Sequence, residues 1–143
     1  MILSLHLFDK LQNPYRFFFN LFKGRKRNFS KEESIELACA KLNALSVKNN
    51  VKQVFLSDVV MNAASETVSE ELKKVLAVAG LSAVYGKAAV YHADSVQKMA
   101  LCEGAVLLLG TDVSSYEEIQ KEKELCLRNG VRSLGGIVLE ETQ

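Results

Sequence analysis

The feature that most limits the fold is a strand–loop–helix unit in the middle of the chain, residues 52–80. The apolar run of Val54, Phe55 and Leu56 predicts a short strand. Apolar residues then recur at helical spacing before the stop signal Gly80, and these are Leu72, Val75, Leu76 and Ala79. A strand joined to a helix by a short loop is the basic unit of α/β proteins.

The rest of the chain repeats this alternation. Further helices are predicted at about 30–48, 93–101 and 114–129, and further strands at 81–85, 105–109 and 131–139. The run AVLLL at 105–109 is typical of a parallel strand that is covered on both faces. We therefore predict a three-layer, Rossmann-like α/β domain with four parallel strands and right-handed crossovers.

The loop of the first unit lies where a phosphate-binding loop would lie, but its residues are different. Phosphate loops need glycines, so that backbone N–H groups can approach the anion, and a lysine for the β- and γ-phosphates. Residues 57–66 contain neither residue type, and Glu66 adds a negative charge near the helix N-terminus. We predict that the chain binds no nucleotide cofactor and catalyses no phosphoryl transfer.

With its elements in this order, the chain resembles the P-loop ATPase domain of bacterial tyrosine kinases (BY-kinases), which control capsular and exopolysaccharide chain length. The similarity covers residues 31–139. The family loop T-S-x-x-x-G-E-G-K-S-T aligns without a gap on SDVVMNAASET, of which only Thr67 agrees. The family's Thr-Ser, two glycines, lysine and magnesium-binding serine fall, in that order, on Ser57, Asp58, Asn62, Ala64, Ser65 and Glu66.

Other family motifs are similarly altered. The metal-directing aspartate of the family falls on Gly86, and its two prolines fall on Ala88 and Ala89. Two helix arginines that support ring assembly fall on Glu36 and Cys39, and the C-terminal tyrosine cluster is absent. The runs CEGAVLLL and GGIVLE keep the family pattern. The resemblance thus implies a degenerate P-loop scaffold, a pseudokinase, with strand order 2-1-3-4.

Residues 1–29 differ in composition from the α/β domain predicted at 30–143. We predict an amphipathic helical arm, broken into two short helices at Pro14. One interpretation is that the arm lies on an anionic membrane surface, and another is that it packs on the domain or on a protein partner. Nucleic acid is not expected as a partner, since the net charge is only +1. The candidate contact residues are Phe17, Phe18, Phe19, Phe22, Lys23, Arg25, Lys26 and Arg27.

Several classes of protein are disfavoured by composition. No apolar run reaches the roughly 18 residues of a membrane-spanning helix, and the apolar start lacks the order of a secretory leader. Neither His6 nor His92 has a metal-ligand partner at useful spacing, so no metal site is predicted. Cys39, Cys102 and Cys126 are predicted to be buried, reduced thiols. These features favour a cytoplasmic protein, peripheral at the inner membrane face if the arm binds lipid.

Two functions remain open. The first is a non-catalytic regulatory or assembly module of the capsular or exopolysaccharide biosynthesis machinery, with the chain-length membrane protein as partner, an assignment that only the resemblance implies. The alternative is a small flavodoxin-like domain that binds a ligand, or acts as an enzyme, at the C-terminal rim of the strands. Its rim residues would be Asp58, Lys87, His92 and Asp112. A third interpretation is a piece of a longer membrane protein.

Overall fold

The computed structural model describes residues 2–7, 31–110 and 116–140. Helices and strands alternate through most of this part of the chain, as the hydrophobic periodicity predicts. In chain order the elements are β1 (Ile2–Leu7), α1 (Lys31–Lys48), β2 (Gln53–Asp58), α2 (Ala63–Val78), β3 (Ser82–Lys87), α3 (Ala93–Ala100), β4 (Gly104–Gly110), α4 (Tyr116–Arg128) and β5 (Arg132–Glu140).

The sheet has five strands in the order β1-β5-β4-β2-β3. The four strands from β2 onward are mutually parallel, and β2 is central, between β3 and β4. Numbered among themselves, these four strands have the order 2-1-3-4, so the predicted topology is confirmed.

The fifth strand, β1, differs from the predicted helical arm. It pairs antiparallel with β5, from Ile2 opposite Glu140 to Leu7 opposite Gly135. The physical reason is visible in ILSLHL, where leucines alternate with polar residues at the strand period of two rather than the helical period. The remaining arm residues, including Phe17–Phe19, Phe22 and the basic cluster, lie outside the described residues, as does the predicted domain boundary at residue 30.

Helices cover both faces of the sheet and give the predicted three layers. On one face, α1 and α2 pack on Val54, Leu56, Val106 and Leu108. On the other face, α3 and α4 pack on the intervening residues of the same strands, which include Phe55, Ala105, Leu107 and Leu109. Side chains alternate between the faces along each strand, so nearly every residue of β2 and β4 is buried.

The parallel strands give the sheet two different edges. The carboxyl edge is where β2, β3 and β4 end, at Asp58, Lys87 and Gly110, and where α2 and α3 begin. The amino edge is where β2–β5 begin, at Gln53, Ser82, Gly104 and Arg132, and where all four helices end. A candidate ligand site belongs at the carboxyl edge in folds of this type.

Candidate functional site at the carboxyl edge

Asp58, the last residue of β2, is fully buried at the centre of the carboxyl edge. Its carboxylate accepts hydrogen bonds from the Ser65 hydroxyl at 2.6 Å, the Tyr85 hydroxyl at 2.6 Å and the Met61 backbone N–H at 2.8 Å. These donors come from α2, β3 and the β2–α2 loop. Asp58 therefore joins three elements, and its acceptor positions are directed into the protein rather than toward a ligand.

The helix behind this loop begins with its own capping residue. Asn62 is the N-cap of α2, and its side-chain oxygen accepts from the Ser65 N–H at 2.9 Å. In return, the Ser65 hydroxyl accepts from the Asn62 N–H at 3.0 Å, which completes a capping box. Neither Ser65 nor Ser69 is the N-cap, because Ser65 is the third helical residue and the Ser69 hydroxyl bonds within the helix to the Glu66 carbonyl.

This arrangement changes the electrostatics of the helix N-terminus. A helix N-terminus attracts anions because its first N–H groups lack helical partners and the dipole is positive there. At α2, Met61, Asn62, Ser65 and Glu66 all donate their N–H groups within the loop and first turn. The Asp58 carboxylate takes one of these N–H groups, that of Met61, and adds a negative charge beside the helix N-terminus.

Tyr85 completes the network from the neighbouring strand. Burial raises the pKa of the Tyr85 hydroxyl above its ordinary value of 10, and its hydrogen bond to Asp58 raises that pKa further. The phenol therefore remains protonated and donates to the carboxylate at all physiological pH values. Asp58 was predicted from the sequence as a rim residue, but Tyr85 was not. The only sequence signal for Tyr85 is its place in the side-chain alternation of β3.

Gly86, on the same strand, is buried against an aromatic ring. A Cβ atom at this position would lie 2.8 Å from Cε1 and Cζ of Phe55 and 2.9 Å from the Ser95 hydroxyl. Contacts this short do not occur for real Cβ atoms, so something would have to move. The position on which the metal-directing aspartate of the family falls therefore has no space for any side chain in this fold.

The four predicted rim residues are not assembled into one site. Lys87 is the register partner of Asp58 on β3, but its side chain is exposed and makes no hydrogen bond or ion pair with any described residue. His92 is the N-cap residue of α3 and makes no side-chain capping bond. It lines an open groove of about 560 Å³ between α3 and α4, whose other polar residues are Lys121, Glu124 and Arg128. Asp112 lies outside the described residues.

A second buried carboxylate lies on the opposite face of the same strand end. Glu122 of α4 is 1% exposed, and its two oxygens accept from the Ser57 hydroxyl at 2.9 Å and the Val90 N–H at 2.7 Å. Burial raises the pKa of Glu122, and the hydrogen bonds from Val90, Ser57 and Ala89 oppose this shift without cancelling it. Glu122 joins α4 to β2 and to the β3–α3 connection.

A run of charged residues such as 117–124 is typical of a solvated helix face, but two of its residues face the interior. Both Glu122 and Lys123 are buried, and burial lowers the pKa of Lys123. The signal for Glu122 was its position three residues after Ile119 and four before Cys126, which places it on the inward stripe of the helix. The carboxylate of Glu122 faces the interior together with its aliphatic stem.

The cysteines are free and buried, as predicted. Burial raises the pKa of Cys39 to about 12, of Cys102 to about 11 and of Cys126 to about 12, so all three remain thiols at neutral pH. Within residues 2–7, 31–110 and 116–140, no three metal-ligating side chains form a cluster, and no helix has the length and apolarity to cross a bilayer.

Comparison of the chain with protein-family models, with curated proteins and with solved structures finds no match in any of the three.

Proposed function

We propose that the chain is a non-catalytic regulatory or assembly module, a P-loop-like scaffold whose nucleotide site has become part of the core. The observation that supports this most is the Asp58 network, in which a buried carboxylate and the capping box use the donors that a phosphate would need. Phosphoryl transfer depends on positioned positive charge around the phosphates. Here the central charge is negative.

Titration of the full chain with ATP and Mg²⁺ by calorimetry tests the proposal directly. We expect no binding at micromolar or low millimolar nucleotide, because Asp58 repels phosphate and no lysine lies in the loop. Binding at micromolar ATP would overturn the proposal. The matched control variant is Asp94→Asn, which removes an exposed carboxylate in the first turn of α3, away from this loop, and should leave the result unchanged.

The identity of the partner rests on the resemblance alone, so it is the part of the proposal with the least support. The module would bind the chain-length membrane protein or another capsule protein at the inner face of the membrane. Affinity capture of that membrane protein by the full chain, compared with a variant carrying Phe17→Ser, Phe18→Ser and Phe19→Ser, tests whether residues 1–29 make the contact. Equal capture by both proteins would exclude the arm as the docking segment.

A ligand-binding rim is less well supported than this module. Asp58 is fully hydrogen-bonded inside the protein, and His92 faces a groove on the α3–α4 side rather than the loop beside Asp58. The groove at His92 is one place where a small ligand could bind.

A further inference from the structure

The exposed aliphatic side chains of the described residues are concentrated at one edge of the sheet. Four are more than 70% exposed, namely Val47 at 75%, Val78 at 91%, Leu101 at 76% and Leu127 at 79%. Each belongs to the last turn or C-cap of a different helix, α1, α2, α3 and α4 in that order. The two other large exposed residues, Tyr91 and Tyr116, precede α3 and begin α4, toward the carboxyl edge.

Topology brings these four residues together. In parallel α/β units each helix runs opposite to its strands, so every helix ends beside the start of the next strand. The four residues therefore lie at the amino-edge ends of their helices, two in each helical layer. Single exposed aliphatics are ordinary on any surface, but four at one edge, one from every helix, form a shared surface.

Cations surround these aliphatic residues. This edge consists of the last helical turns, the connections and the first strand residues. It contains five exposed basic side chains and one acidic side chain, Glu103. The basic residues are Lys48, Lys52, Lys98, Arg128 and Arg132. The Glu103 carboxylate is already held by the backbone N–H groups of Lys52 at 2.6 Å and Gln53 at 3.1 Å, which lower its pKa. Among the side chains of this edge, basic residues therefore outnumber acidic ones by five to one.

The amino edge is also cross-braced. The connections before β2, β3, β4 and β5 bond to one another through Ser82 N–H to Lys52 O, Glu103 N–H to Gln53 O and Arg132 N–H to Glu103 O, at 3.0–3.2 Å. The Arg132 side chain also bonds to Asn49. These hydrogen bonds hold the four connections in fixed positions relative to one another.

We propose that this amino edge binds an anionic lipid bilayer, with the four aliphatic side chains in the headgroup region and the five cations on lipid phosphates. A protein interface has a contiguous apolar core inside a polar rim. Here four single aliphatic side chains and five basic side chains lie at one edge, and a fluid anionic bilayer can accommodate both kinds of side chain. This surface is distinct from the Asp58 network, so it stands whether or not the chain binds nucleotide.

The position of β1 agrees with this assignment. Leu7 pairs with Gly135, near the start of β5, so the chain leaves β1 toward the amino edge. The sequence that follows β1, residues 8–30, is rich in aromatic and basic residues. The test below separates the amino edge from those residues.

An environment-sensitive fluorophore on an introduced cysteine reports contact with lipid at a single position. We would compare Val78→Cys with Lys87→Cys, at opposite edges of the sheet, in the full chain; the native cysteines are buried thiols and label poorly. With vesicles of phosphatidylcholine and phosphatidylglycerol we expect a blue shift at position 78 and none at position 87. With phosphatidylcholine alone we expect neither.

Three results would overturn the proposal. The first is sedimentation with vesicles without a shift at position 78, which would assign binding to residues 8–30. The second is an equal shift at positions 78 and 87. The third is no vesicle binding together with self-association that Val78→Gln abolishes, which would make the edge an interface between protein copies.

A charge-matched pair of variants tests the cations. Lys48→Gln with Lys98→Gln should weaken co-sedimentation with anionic vesicles by roughly fivefold for each cation removed. Lys87→Gln with Lys121→Gln makes the same change in net charge at exposed sites outside the amino edge, and should have a much smaller effect. An equal loss in both pairs would show that net charge alone governs binding and would contradict an oriented surface.

Discussion

Two carboxylates anchor the end of β2, one on each face of the sheet. Asp58 points to the α2 side and is held by three donors, two hydroxyls and one backbone N–H. Glu122 reaches Ser57 from the α4 side. Buried carboxylates are costly unless they are hydrogen-bonded, so each one defines the position of the groups around it. Their environments differ enough to predict different responses to substitution.

The Glu122 carboxyl should make stability depend on pH. Because its folded pKa is raised above the ordinary value of 4.5, the folded state favours the protonated form. Its stabilising contribution is complete below the unfolded pKa and is lost as pH rises through the raised folded pKa. The glutamine of the Glu122→Gln variant is neutral at every pH, can accept from the Val90 N–H and can donate to the Ser57 hydroxyl. The stability of this variant should therefore lose the pH dependence that Glu122 causes. Urea unfolding at a series of pH values measures the difference.

Glu124→Gln is the control for this prediction, since Glu124 is exposed on the same helix. It should retain the pH dependence of the unmodified chain. Parallel stability curves for Glu122→Gln and the unmodified chain would contradict the assignment.

The Tyr85 hydroxyl should contribute to stability through Asp58. Tyr85→Phe removes one of three donors to a buried carboxylate, and hydrogen bonds to charged groups contribute about 1.5–3 kcal/mol. Because Tyr85 is only half-buried, water can partly replace its hydroxyl, so we expect a loss of about 1.5 kcal/mol in the free energy of unfolding. Tyr91→Phe, at an exposed tyrosine, should change it by less than about 0.5 kcal/mol. Equal effects of the two changes would argue against the network.

At the scale of elements, the helices and the four parallel strands were predictable because each has a clear hydrophobic period. The strand β1 was not predicted, because its apolar alternation covers only six residues and is followed directly by an aromatic, basic sequence that is typical of an amphipathic helix. Glu122 was missed as a buried acid because it lies in a run of charges, and periodicity alone cannot reveal the donors, Ser57 and Val90, that compensate its burial. Such donors belong to elements far away in the sequence.

Close packing between β2, β3 and α3 should make Gly86 intolerant of any side chain. Gly86→Ala places a methyl group against Phe55, and overpacking of this kind costs about 1–3 kcal/mol. Thermal unfolding measures the loss. Gly130→Asn is a suitable comparison: Gly130 has a φ of 69° but open space around it, and asparagine tolerates that conformation. A stable Gly86→Ala protein would show that the ring of Phe55 can move aside.

At the scale of the whole molecule, the described polar groups around Asp58 at the carboxyl edge are hydrogen-bonded within the protein, whereas the amino edge carries the four highly exposed aliphatic side chains. This is the reverse of what an α/β fold with a ligand site shows, where the carboxyl edge is open. The fold class followed from the hydrophobic pattern, and the strand order followed from the resemblance to the P-loop class; both are confirmed. The division of roles between the edges did not, since it depends on which side chains are exposed once the layers have assembled.

Introducing the P-loop residues into the β2–α2 loop should therefore not create a nucleotide site. Asn62→Gly, Ala64→Gly, Ser65→Lys and Glu66→Ser together recreate the glycines, lysine and serine, but they also remove the capping box and a donor to Asp58. We expect no ATP binding by calorimetry and a loss of more than about 2 kcal/mol in stability by denaturation. Asn62→Gly alone, as the control, should cost much less. Micromolar ATP binding by the combined variant would show that the scaffold is competent.

The pairing of β1 with β5 has a consequence for how the chain is made. These strands lie more than 100 residues apart in sequence yet are neighbours in the sheet. During synthesis, β1 is made before β5, so it has no pairing partner until β5 has emerged from the ribosome and joined β4. Closing a contact of this span is slow, and an unpaired strand is prone to wrong association. The pairing of β1 with β5 can therefore form only after β5 has been synthesised.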